Sequence, residues 1–69
     1  MKIQYDREQC LKIVEDEYLT DRERRIFRMK FMRGLKIEDI SLEIDMSRQT
    51  VINDLRKIRQ KAIEILKEY

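Results

Sequence analysis

The apolar positions of this chain recur mostly at three- and four-residue intervals, which predicts four helices and no strand. The first helix is expected over about residues 6–18, where Cys10, Leu11, Val14 and Tyr18 share a face that Ile13 broadens. The second spans about 21–33 and opens on LTDRE. Thr20 is a suitable N-cap, and Glu23 three residues on completes a capping box that satisfies two free backbone donors. Ile26, Phe27, Lys30 and Phe31 follow at helical spacing, and Gly34 supplies a left-handed stop. The third helix is short, about 37–44, with Ile37, Ile40 and Ile44 on one side. Its first turn holds Glu38 and Asp39, where the helix dipole favours negative charge, and Lys36 stands where a capping Ser or Thr would be expected. The fourth, about 47–66, starts at the N-cap Ser47 and meets no breaker, so at 1.5 Å per residue it extends roughly 30 Å.

Only Asp45 and Met46 separate the last two helices. So tight a connection forces a steep crossing, as in a helix-turn-helix, and Asp is among the few residues besides glycine that tolerate positive φ. Met46, Val51, Leu55 and Ile58 then face inward against Ile40 and Ile44, with the small Ser41 at the crossing. Stepping 100° per residue, Gln49, Asn53, Arg56 and Lys57 point away from that core, and Arg48 projects from the first turn. Ile52 lies at the border of core and surface. Amide side chains pair bidentately with adenine and guanidinium with guanine, so such a flank suits the major groove. A polar flank of this kind is also ordinary on a solvated helix. The short acidic helix, tight turn, capped basic helix and small crossing residue together favour DNA.

Composition narrows the class further. Sixty-nine residues suffice for one small domain, and 42% hydrophobic with 43% charged residues suits a compact helical one. The absence of Pro and the single Gly exclude turn-rich all-β folds. No apolar run reaches membrane-span length, and the N-terminus carries no signal-peptide pattern. Cys10 has no partner for an internal disulfide, which points to a reducing, cytoplasmic setting, and it is expected to be a small core residue. There is no His, no metal-ligand cluster and no glycine-rich phosphate loop, so neither an enzyme nor a cofactor is expected. Charge is segregated: residues 1–20 carry −2, 21–35 carry +4, 36–46 carry −3 and 47–69 carry +3. A polyanion would be both attracted and oriented by such blocks.

The run from Leu19 to Leu66 also resembles region four of bacterial sigma factors, which recognises the promoter −35 element, and the LuxR-type output domains of response regulators. The likeness rests on Leu19 and Thr20 of the LTDRE opening, on Ile26, Met29, Lys30 and Phe31, and on Gly34–Leu35. Glu38–Ile40 and Met46–Val51 continue it. It implies base reading by Arg48, Gln49, Ile52, Asn53 and Arg56, with Arg22, Arg25, Lys30 and Thr50 on phosphates. Ser47, at the helix start, and the outward Lys57 join them as phosphate candidates. Asp45, Lys36 and Ser41 stand where the family usually has Gly, a capping Ser or Thr, and Ala.

The expectation is an all-α, four-helix domain containing a helix-turn-helix with an extended C-terminal recognition helix. It would bind double-stranded DNA in transcription regulation, as a free-standing regulator of phage or mobile-element type rather than a complete sigma factor. The alternatives are a module that binds RNA polymerase or a sigma factor, and a DNA-packaging adaptor of small-terminase type. Val51, Leu55, Ile58, Ala62, Ile65 and Tyr69 form a heptad-like stripe along the tail. Packing on the first helix and homodimerisation both account for it.

Overall fold

The computed structural model describes residues 5–67. It is all-α: helix α1 is Arg7–Glu15, α2 is Asp21–Phe27, α3 is Ile37–Ile44 and α4 is Arg48–Lys67. Between α2 and α3 the chain continues as a π-helical segment, Arg28–Met32. Among the described residues there is no strand, and no helix is long and apolar enough to cross a membrane.

Helix α1 is shorter than its apolar spacing suggests. Asp6 caps it, accepting from the Gln9 amide at 2.8 Å while Gln9 Oε1 accepts from the Asp6 amide at 3.0 Å. Its end is set by Asp16, which leaves helical geometry (φ −75°, ψ 137°) and accepts from the Tyr18 amide at 2.8 Å. Tyr18 is therefore outside the helix and 52% exposed, and Leu11 is 41% exposed, so neither belongs to the core. Cys10, Ile13 and Val14 are the residues of α1 that are buried. Burial, and then the Asp6 charge, push the Cys10 thiol above its ordinary pKa, which keeps it protonated and unreactive.

Helix α2 begins as expected, with the Thr20 and Glu23 capping box fully formed. It does not run on as one α-helix. The Arg33 amide donates to the Arg28 carbonyl at 2.9 Å, a five-residue step, and Gly34 (φ 71°) closes the wider turn. The Leu35 amide then reaches the Met29 carbonyl at 2.9 Å, one residue longer than the usual Schellman closure. Both α1 and α3 pack on the π segment, and it buries Met29 while Phe31 stacks on Phe27 and Tyr5 with centroids 4.9 and 5.1 Å away.

Arg24, a surface charge by its spacing, is half-buried and serves as a clamp. Its guanidinium donates to the carbonyls of Val14 (2.6 Å), Asp16 (2.9 Å) and Leu19 (3.2 Å), satisfying the end of α1 and the loop behind it.

The turn between α3 and α4 follows the expectation closely. Asp45 sits at φ 54°, ψ 51°, its amide and that of Met46 both donate to the Ser41 carbonyl, and Ser47 Oγ accepts from the Thr50 amide at 3.1 Å. Left-handed backbone costs an L-residue about 1–2 kcal/mol, and Asp bears it better than branched side chains. Asp45→Val is thus expected to lose about 1–2 kcal/mol in urea unfolding and Asp45→Gly to lose nothing. Equal stability of the two variants would contradict the turn geometry.

Ile13, Ile26, Phe27, Ile40, Val51 and Ile58 are fully sealed in the core. Ala62 and Ile65 of the tail stripe are buried too, and α1 packs on α4. The stripe is thus occupied within the chain as far as Ile65, which removes it as a dimer seam. Tyr69 lies outside the described residues.

Two ion pairs of opposite polarity lock α2 on α4. Arg22 meets Asp54, and Glu23 meets Lys61 at 2.6 Å. Lys61 Nζ also donates to the Tyr18 carbonyl at 3.1 Å and lies 5.0 Å from the centre of its ring. Burial alone would raise the Glu23 carboxyl pKa. The Lys61 hydrogen bond, the Thr20 amide and the Lys61 charge outweigh it and hold the group below its ordinary 4.5. The folded carboxyl binds its proton less readily than the unfolded one, so this stabilisation is full above pH 4.5 and is lost as pH falls through the lower folded value. Thermal melts are expected to show that loss below pH 4.5, and Glu23→Gln to flatten it. An unchanged pH profile in the variant would exclude the linkage.

Candidate nucleic-acid interface

The exposed flank of α4 is built by register. With Val51, Leu55, Ile58 and Ala62 buried, Gln49, Asn53, Arg56 and Gln60 recur at steps of four, three and four along the opposite side, and all four are exposed. Gln60 was not among the expected readers, though the same spacing extends to it. Gln49 Nε2 donates to Asn53 Oδ1 at 3.1 Å. The two amides are thereby held as a unit that still offers Gln49 Oε1 as acceptor and Asn53 Nδ2 as donor. Arg56 has no partner among the described residues, so its five donors are free.

Arg48 leans across the turn, with Nη1 3.6 Å from Glu38 Oε1 in the first turn of α3. Both side chains are about two-thirds exposed, so the contact is weak and screened, and Arg48 can exchange it for another anion. Ile52 is half-buried beside this flank, at the border position the spacing gave it.

The phosphate candidates divide. Arg25 and Lys57 are exposed and Lys30 is half-buried; none of the three has a partner among the described residues. Ser47 and Thr50 spend their hydroxyls on each other, Oγ to Oγ1 at 2.9 Å, and on the cap. What they leave for an anion is the start of α4, where first-turn amides lack helical partners. Arg22 is tied to Asp54 across the α2–α4 contact. Nothing in the apolar spacing revealed Asp54, which is 4% exposed.

A short helix crossed by a long one through a left-handed turn, with the long helix offering a bare amide and guanidinium flank, defines a helix-turn-helix module. The model of the family described as Sigma-70, region 4 matches residues 17–61, from the loop before α2 to the penultimate turns of α4. The chain belongs to that family, whose helix-turn-helix fold binds DNA in transcription. No curated protein and no solved structure matches the chain.

Proposed function

We propose that the chain is a sequence-specific double-stranded DNA-binding protein that regulates transcription. Helix α4 enters the major groove, where Arg48, Gln49, Asn53 and Arg56 meet base edges and Ile52 meets a thymine methyl. Arg22, Arg25, Lys30 and Lys57 contact phosphates, with the first turn of α4 at Ser47 and Thr50. The observation that carries this reading is the unobstructed Gln49–Asn53–Arg56 stripe inside a sigma region 4 match. The setting is the cytoplasm of a bacterial or phage-infected cell. A second reading, contact with RNA polymerase, is supported by family membership and by Leu42, which is 80% exposed on the acidic outer face of α3. Selection from a random duplex library tests the first reading. One enriched motif is expected, and a pool that stays random would reject it.

A further inference from the structure

Asp54 is the one acidic side chain buried on α4. Its neighbours on the same helix, Val51, Leu55 and Ile58, make the apolar core. Arg22 Nη2 lies 3.0 Å from each of its carboxylate oxygens, hydrogen-bonded to Oδ1, and no second donor among the described residues reaches Oδ2. The pair is one-sided, with the Asp54 side chain 6% exposed and that of Arg22 50% exposed. A buried carboxylate is costly to desolvate, and an apolar side chain of similar size often serves a fold as well or better. Stability therefore gives little reason for an acid here. An acid is also, by charge alone, a poor choice beside a DNA backbone.

The geometry accounts for it otherwise. A guanidinium is a planar fork, and holding Nη2 on a fixed carboxylate fixes the direction of Nη1 and Nε. Arg22 has no other partner among the described residues, so that remaining edge is available. Lys57, three residues beyond Asp54 on α4, lines the same open cleft as Arg22, and it too is unpaired. Resting on the DNA reading above, we propose that Asp54 is a positioning residue: it aims the free edge of Arg22 at a backbone phosphate beside the reading flank.

Charge and positioning predict opposite signs. If Asp54 acts only through its charge, Asp54→Asn removes a negative group near DNA, so it tightens binding and leaves the salt slope unchanged or steeper. If Asp54 aims Arg22, Asp54→Asn loses one phosphate contact. The slope of log K against log salt then shrinks by about one, and affinity for the selected site falls roughly five- to tenfold near 0.1 M salt. Ethylation of one particular phosphate should interfere with the wild type and cease to interfere with Asp54→Asn and with Arg22→Ala alike. The double variant should bind no worse than Arg22→Ala alone. A general loosening of α4 would not abolish one phosphate selectively. Arg22→Lys provides the second arm if Asp54→Asn fails to fold, since it keeps the charge and removes the fork. A slope reduced by about one supports the proposal, and a wild-type slope overturns it. Wild type that binds no duplex defeats the DNA reading itself, whereas wild-type binding with a tighter Asp54→Asn defeats only this assignment.

Discussion

Phe27→Ala is expected to leave the chain largely unfolded at ambient temperature. Phe27 is fully buried and touches two further rings, with centroids 5.8 Å to Tyr5 and 4.9 Å to Phe31. Truncating a sealed aromatic to alanine costs about 3–5 kcal/mol, from lost transfer energy and from the cavity left behind. A chain this short has a total stability of only about 3–10 kcal/mol. Helices shorter than about 12 residues are also marginal on their own, so α1, α2 and α3 have no local stability in reserve. Far-UV circular dichroism should show most helical signal gone, or a urea midpoint moved far down. A loss under 1 kcal/mol would mean that Phe27 does not centre the core.

The second large effect concerns DNA. Arg56→Ala and Asn53→Ala are each expected to weaken the selected site by about 1–3 kcal/mol and to relax base preference at one position. Random duplex should be affected much less, because neither variant touches the phosphate contacts that dominate non-specific binding. Asn53→Ala should also disturb Gln49, which loses its amide partner, so its footprint should extend to the neighbouring base. Binding titrations on the selected and a scrambled duplex decide the matter. Equal losses on both would move these residues from base reading to general attraction.

Much of the fold was legible because its signals are local. Thr20 with Glu23, Gly34, Asp45 and Ser47 each act within a few residues, and all four devices stand where the sequence put them. The third and fourth helices follow the expected spans to within a residue. What failed was set by contacts far apart in sequence. Tyr18 continued a helical stripe, yet Asp16 ends α1 first and Lys61, 43 residues away, takes the Tyr18 carbonyl. Arg24 looked like a solvent charge until three carbonyls were found around it. For the site, the outward residues were readable from 100° steps, since a long helix with one buried side leaves no choice about the other. Asp54 was not, because a lone acid within an apolar stripe carries no sign of the arginine 32 positions earlier that receives it.

The π segment at Arg28–Met32 amounts to one surplus residue accommodated mid-helix. Excise any single residue there and the coil tightens to ordinary pitch, but everything downstream swings by about a quarter turn relative to α2. The crossed charges at 22–54 and 23–61 would then miss one another, and the groove-facing rod would be delivered in the wrong direction. Length in this stretch is accordingly less forgiving than identity: its side chains can be exchanged one at a time, but its residue count cannot.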